Sequence, residues 1–364
     1  MKSLIKSSQK PDIAQAAAEA TAGVFDPKGI IFLSDYARLP LFARELAELF
    51  PNADIIGTAG TAYHEQTADD TNILVVTAIL GEAEVSAGLI GNLSTDPLSE
   101  LYKLSESVKA VSPQPDSTVC IEFCTGNEEV LVSTMNIALE PVGVGLAGGT
   151  VYGAPEGRPS LVAYNGKVYE DACAYIVVKN TTGKAYVVRE NIYDKADGPV
   201  HLATKVNTAK KELTELDHRP AADVYSAETG VARDKIVDNV LKAPFGRIIN
   251  GEIYISSMNG VLQNGAITNY KRINVNDSLY ILKLKDYRAI NEETRRHIRS
   301  LVAEPSMIFS VNCIYRYLLF EKDGYLKEFL TNMSRIAPFA GYIGGGEQYN
   351  RQHVNQTMVC AVFE

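Results

Sequence analysis

The feature that most constrains this chain is a short glycine motif that occurs three times. Gly57-Thr-Ala-Gly60 follows Ala53-Asp-Ile-Ile56, Gly145-Leu-Ala-Gly148 follows Val142-Gly-Val144, and Gly341-Tyr-Ile-Gly344 follows Phe339-Ala340. The same order of elements surrounds each copy. An apolar strand comes first: Gly29 to Ser34, Thr118 to Cys124 and Met307 to Asn312. Next comes a segment with helical spacing, carrying Leu39, Phe42, Leu46 and Leu49 in the first unit. Its counterparts are Leu131, Met135, Ala138 and Leu139, then Leu326, Phe329, Leu330 and Met333, each set spaced for one helix face. Beyond the glycines lies another apolar strand: Asn72 to Leu80, Ala172 to Val178 and Thr357 to Phe363. Self-similarity over a whole unit is harder to obtain by chance than a shared tetrapeptide, so the pattern predicts a threefold repeat.

Alternation of strand and helix predicts an α/β, mixed α+β fold: internally repeated strand-helix-strand-strand units with helices packed on mixed sheets. Asp12 to Thr21 and Pro97 to Val111 read as connecting helices. Asn165-Gly166 sits between two strand-like runs and tolerates the positive φ of a tight hairpin. From Thr181 to about Pro220 the sequence turns polar, which places a domain boundary near residues 190 to 220. Beyond it a helix is expected at Glu228 to Leu241. An antiparallel meander is expected to follow, with turns at Asn250-Gly251, Asn259-Gly260 and Asn264-Gly265 and a strand at Ser278 to Leu284. A helix from Glu292 to Val302 leads into the third unit.

At 364 residues and 46% hydrophobic content the chain can bury a substantial core in two or three domains. Its net charge of -9 argues against nucleic acid, because phosphate binding needs a clustered cationic surface. The densest basic run, Arg295, Arg296, His297 and Arg299, lies on a helix alongside Glu292 and Glu293 and reads as a solvated face. Apolar stretches such as Ile73 to Leu80 are too short to cross a bilayer, and the N-terminus lacks a secretory h-region, so a cytoplasmic location is the expectation. Five scattered cysteines fit reduced buried thiols, and their spacing predicts no metal site.

Several stretches together resemble the FIST sensory proteins, which are built from an N-terminal and a C-terminal FIST domain. Pro244-Phe-Gly246 followed by Gly251-Glu-Ile-Tyr-Ile255 is similar to the family's PLG element and its strand. Phe309 to Arg316 resembles the strand ending in Cys-x-x-Arg, which carries over Cys313 and Arg316. Gly341, Gly346-Glu347 and Asn355-Gln356-Thr357 resemble the G-x-x-x-x-G-E and H-N-Q-T ending, while Ile56-Gly57 and Gly148-Gly149-Thr150 resemble the N-terminal glycine turns. Two positions depart from the pattern. Val354 stands where the family has His, with His353 one place back and on the opposite strand face, and Gln348 stands where an aliphatic residue is common. The resemblance implies a FIST N-terminal-like domain over 1-200 and a FIST C-terminal-like domain over 215-364. It also implies a cytoplasmic sensory, signal-transduction module for small ligands such as amino acids, with no established chemistry.

The residues themselves suggest how such a ligand would be held. Glycine turns at strand ends expose N–H groups that can hold a carboxylate or phosphate, which makes Gly57, Gly148, Gly149 and Gly346 candidates. The same glycines could instead only permit tight packing. Arg316 suits bidentate capture of a carboxylate, or could pair internally with Glu347. If both face one cavity, Arg316 takes a ligand carboxylate and Glu347 its ammonium, with Asn355, Gln356 and Thr357 orienting it. Alternatively, those three residues form a turn that satisfies its own backbone. The rival class is a hydrolase or transferase acting on a small polar substrate, with His64, Glu65 and His353 as its candidate residues. No Ser or Cys stands beside either histidine in a nucleophile motif, and neither a P-loop lysine nor a dinucleotide fingerprint is present, so no cofactor is expected. A third reading is a scaffold without ligand. The chain contains no recognisable output domain, so a sensor would signal through a separate partner protein.

Overall fold

The computed structural model describes residues 1–364, and the chain divides into two compact units. The first comprises Met1–Arg189, Glu292–Gln352 and Met358–Glu364, and the second Glu190–Asn291 and His353–Thr357. The fold is mixed α+β, with several mixed sheets and one antiparallel sheet.

The chain begins with β1 (Lys2–Ser8) and α1 (Ile13–Ala20), whose N-cap Asp12 accepts the Gln15 backbone N–H at 2.9 Å. Repeat I runs through β2 (Gly29–Ser34), α2 (Leu39–Leu49), β3 (Asp54–Ala59), the hairpin β4 (Ala62–His64) and β5 (Thr67–Asp69), and β6 (Leu74–Gly81). After β7 (Ala83–Ile90) and α3 (Leu101–Ala110), repeat II has β8 (Thr118–Cys124), α4 (Glu128–Leu139), β9 (Gly145–Thr150), the hairpin β10 (Val162–Tyr164) and β11 (Lys167–Tyr169), and β12 (Cys173–Asn180). β13 (Ala185–Asn191) follows.

Chain entering the second unit forms β14 (Tyr193–Lys195), β15 (His201–Asn207), β16 (Glu212–Leu216), β17 (Arg219–Pro220), α5 (Ala221–Thr229), β18 (Phe245–Ile249), β19 (Glu252–Ser256), β20 (Met258–Val261), β21 (Ile267–Asn269) and β22 (Ser278–Leu284). Helix α6 (Tyr287–Leu301) leads to repeat III: β23 (Met307–Cys313), α7 (Ile314–Lys322), α8 (Leu326–Ser334), β24 (Phe339–Gly344), the hairpin β25 (Glu347–Tyr349) and β26 (Gln352–Val354), and β27 (Thr357–Phe363).

In every repeat the first two strands are parallel, because a helix crosses over between them, and the third runs antiparallel to the first. The helices bury one stripe each: Leu39, Phe42, Ala43 and Leu46 of α2 sit in the core over β2 and β3. Three six-stranded sheets result, in the orders β1-β6-β2-β3-β10-β11, β7-β12-β8-β9-β25-β26 and β13-β27-β23-β24-β4-β5. The hairpins are exchanged in a cycle. That of repeat I extends the sheet of repeat III, that of II extends I, and that of III extends II. Asn165 and Gly166, at φ 40° and 84°, make the tight turn of β10–β11.

The second unit is one nine-stranded antiparallel sheet, ordered β19-β18-β22-β15-β16-β21-β20, with β14 on β22 and β17 on β16. Two local expectations differ from what is found there. The helix expected at Glu228 to Leu241 lies earlier, at Ala221–Thr229, because Gly230 at φ 72° ends it in a left-handed cap. Asn259-Gly260 is not a turn but part of β20, where the register is irregular and a Cβ at Gly260 would lie 2.7 Å from Thr268 Oγ1. Asn250-Gly251 and Asn264-Gly265 do turn the chain, with Gly251 and Gly265 at φ 82° and 80°.

Candidate functional site

The pairing registers bring one row of residues across each sheet to the glycine motif. In repeat I the row is Val76, Phe32, Gly57 and Ala163. In repeat II it is Tyr175, Glu122, Gly148 and Gln348, and in repeat III Cys360, Ser310, Gly341 and Tyr63. Gly57 and Gly148, expected at turns, lie inside strands, and neighbouring side chains fill the space above them. A Cβ on Gly57 would be 2.3 Å from the Phe32 ring, and one on Gly148 would be 2.1 Å from a Glu122 carboxyl oxygen. At Gly341 the obstacles are the Ser310 carbonyl at 1.9 Å and the Tyr63 hydroxyl at 2.5 Å. The chemistry of the rows thus goes from apolar in I to a carboxyl in II and hydroxyls in III.

Each row has a companion at the start of the repeat's helix. Arg38, Glu128 and Arg316 stand six positions after Phe32, Glu122 and Ser310 (38 − 32, 128 − 122, 316 − 310). Arg38 pairs with Asp35 at 2.6 Å and lies over Phe42, 5.0 Å from its centroid. Arg316 lies over Phe320 at 4.8 Å and Phe329 at 5.4 Å and is fully buried. Burial lowers its pKa to about 10, while Tyr325, Cys360, Glu347 and Tyr63 favour the charged form, so the guanidinium is protonated at neutral pH. Tyr63 Oη bonds the Ser310 hydroxyl at 2.5 Å and donates to its carbonyl at 3.0 Å, and burial raises its pKa. Glu347 is also fully buried, on β25, with its strand paired so that it faces Gly149.

Repeat II holds the other buried acid. Glu122 Oε2 accepts the Cys173 thiol at 3.3 Å, and burial lifts the carboxyl to about 8, with nearby Glu128 adding to the rise. Cys120 and Cys124 flank it on the same strand face, their thiols also pushed up by burial. No group of three or more His, Cys, Asp or Glu side chains is placed to hold a metal ion.

All three repeats contribute to an open cleft of about 660 Å³ in the first unit. Repeat I supplies Asp35 to Arg38 and Gly60-Thr61, just past the carboxyl ends of β2 and β3, together with Asp70 to Asn72. Repeat II supplies Tyr152 and Gly153 beyond β9, and repeat III supplies Ile314 and Tyr317 of α7. Gly60, at φ 141°, permits this convergence, since a Cβ there would be 2.5 Å from the Tyr152 carbonyl. Carboxyl ends of parallel strands are where α/β sheets place ligands, because loops diverge there. The lining carries both signs of charge, with the Asp35–Arg38 pair on one side and Asp70 on another. Burial raises Tyr317 to about 12, with Glu321, Asp70 and Asp69 adding to the effect, so its hydroxyl is a donor at neutral pH.

Arg316 and Glu347 therefore both lie within the first unit, where they are electrostatically coupled. Gly346 is there too, its carbonyl accepting Thr150 N–H at 3.0 Å, and Gly149 sits where a Cβ would be 2.4 Å from Tyr342 Oη. Asn355, Gln356 and Thr357 belong to the second unit. Asn355 Oδ1 accepts the Ser257 N–H at 3.3 Å, and Gln356 Nε2 donates to Ser257 Oγ at 2.8 Å and the Val240 carbonyl at 3.3 Å. The His353 carbonyl accepts Lys271 Nζ. Also in the second unit, His201 is held between Asp217 at 2.6 Å and Glu228 at 2.5 Å, which raise its pKa against the opposing effect of burial. Sequence reasoning passed over Tyr63, Ser310 and the cleft residues Asp35, Arg38, Asp70 and Tyr317. The fixed six-residue offset from each row to each helix would have led from Arg316 to Arg38.

Two family profiles together cover most of the chain. The FIST N domain profile matches residues 28–219 and the FIST C domain profile residues 221–350. The molecule is thus a module of the kind associated with sensory and signal-transduction roles. It belongs to the FIST family. No curated protein sequence matches the chain. The solved structure of PurLQS from Thermotoga maritima aligns at 11% identity over 99% of this chain and 71% of that one, with a TM-score of 0.21, too low to carry any argument. No helix is long and apolar enough to cross a membrane.

Proposed function

We propose that the chain is a cytoplasmic sensory module that binds a small polar ligand of the amino-acid type and signals through a separate protein by contact. The observation that carries this reading is the cleft where all three repeats converge at the carboxyl ends of their strands. Its volume suits a small guest, and acid, guanidinium and phenol at its wall complement a zwitterion. Arg316 and Glu347 have no exposed surface, so in this reading they act from beneath. They set the position of α7, which carries Ile314 and Tyr317 into the cleft. A signal then requires that the ligand stabilise one placement of α7 over another, since only differential affinity shifts an equilibrium.

The test is a thermal-shift screen over the amino acids and small carboxylates, in which native-state binding raises the melting temperature with ligand concentration. Tyr317→Ala is expected to remove the shift while leaving the unliganded melt within a few degrees. Flat responses across the screen, or a shift that survives Tyr317→Ala, would overturn the assignment of this cleft.

A further inference from the structure

We propose that the cleft between the exchanged hairpin β10–β11 and helix α3 is a second binding site, for a neutral, flat aromatic molecule of the indole or phenol class. It measures about 620 Å³ and shares no lining residue with the cleft at the strand ends. Such a volume is ordinary for a small-molecule site.

Its walls are aromatic by construction. Tyr164 and Tyr169 lie diagonally on one face of the hairpin, since Val162 pairs with Tyr169 and Tyr164 with Lys167. The Tyr164 hydroxyl donates to the Ala87 carbonyl at 3.3 Å, which fixes that ring in place. The floor is the edge strand β7 at Ala87 and Gly88. A Cβ at Gly88 would be 2.2 Å from the Tyr175 hydroxyl, so the missing side chain brings a phenol to the base of the cleft. Tyr175 is fully buried, and burial keeps its hydroxyl protonated. Its partner Ser107, also lining the cleft, lies at 3.3 Å, long for an O–H···O bond. The base therefore offers the Ser107 hydroxyl, backed from beneath by the buried Tyr175, to bond a ring N–H or O–H below two tyrosine faces that favour stacking.

Charge gives an anionic guest no hold, since Glu106 lines the cleft and the lysine there is already occupied. Lys103 is bridged to Glu100 at 2.9 Å, which stabilises its ammonium and occupies it. The Asp54 carboxylate, its pKa raised by burial, accepts Ala87 N–H at 3.1 Å and so closes the strand edge. The hairpin reaches this place only because repeat II lends it to the sheet of repeat I.

The chain contains no tryptophan, so emission from added indole, excited where tyrosine does not absorb, reports on the probe. Indole anisotropy is expected to rise saturably with protein, to need at least tenfold more Tyr169→Ala protein, and to be unchanged by Tyr317→Ala. As a second measurement on the unaltered chain, indole should shift the Ala87 and Gly88 amide resonances. Non-saturable binding, indifference to Tyr169→Ala in a folded variant, or shifts confined to Gly60 and Tyr317 would each overturn the proposal. If Tyr169→Ala does not fold, the amide shifts decide. Amino-acid binding at the other cleft is read separately, by the effect of Tyr317→Ala on the thermal shift.

Discussion

Arg38 in repeat I and Arg316 in repeat III occupy the same place in the same local fold, yet they live under different conditions. Both cross an aromatic ring four residues further along the chain, Phe42 and Phe320, at 5.0 and 4.8 Å. Arg38 meets its acid three residues back, at the edge of the open cleft, with 11% of its side chain accessible. Arg316 has no accessible surface, and the acid acting on it, Glu347, comes from a strand near the other end of the repeat. Glu128, the counterpart in repeat II, reverses the sign and accepts the Thr150 hydroxyl at 3.2 Å. Strand register and helix entry thus fix where a charged group stands, while its neighbours decide whether it serves the surface or the interior.

The largest effect should come from truncating these two arginines. Arg316→Ala removes a fully buried guanidinium stacked on Phe320 and Phe329 and acted on by Tyr325, Cys360 and Glu347, and is expected to cost about 3–5 kcal/mol of stability. Arg38→Ala, with water at hand to solvate Asp35, should cost about 1–2 kcal/mol. Urea unfolding of both variants measures the difference, and equal losses would break the comparison. Next come the row glycines. Gly341→Ala drives a methyl against a backbone carbonyl that cannot swing away, so a loss of about 2–3 kcal/mol is expected. Gly57→Ala meets only a phenylalanine ring, so its loss should be smaller in the same assay. A reversed order would show that the Phe32 ring is the more rigid obstacle.

The last contrast concerns pH, where the effect is spread over several pH units, and it extends the comparison to repeat II. The Glu122 carboxyl is raised from 4.5 to about 8 in the folded state, so between those values the folded chain holds a proton that the unfolded chain has lost. Its contribution is complete below pH 4.5 and falls as pH rises toward 8, at no more than about 1.4 kcal/mol per pH unit. Glu122→Gln should flatten that part of the stability profile and leave the variant the more stable of the two at pH 8. An unchanged slope would mean that Glu122 is already ionised in the folded protein.

Much of the first unit was legible because its signals are local. Gly29 to Ser34 and Thr118 to Cys124 are apolar runs that the structure returns with the same bounds, and the three glycine motifs carry the repeat on their own. What pairs across long separations left no trace in a single sequence. Nothing around Tyr63 announces that it will lie beside Ser310, 247 residues away, or that its hairpin will leave its own repeat. The helix expected at Glu228 to Leu241 was misplaced because Gly230, in a left-handed cap, ends the helix at Thr229. Arg316 and Glu347 were singled out through their resemblance to a family motif, and neither lines the proposed cleft. The cleft was not visible, because its lining comes from the loops of three repeats and a binding surface built that way has no contiguous motif.

The ring of lent hairpins also dictates when this protein can exist during synthesis. Strands β2 and β3 leave the ribosome early, but their sheet waits for residues 162–169, while β4 and β5 wait for a host strand that begins at Phe339. The sheet of repeat II waits for Gln352–Val354, and that of repeat III is the last to be completed, by Thr357–Phe363. A nascent chain therefore carries unpaired strand edges until almost all of it has emerged, which exposes it to aggregation and makes maturation slow and concerted. Shielding those edges during translation is a burden that a linear array of self-contained repeats would escape.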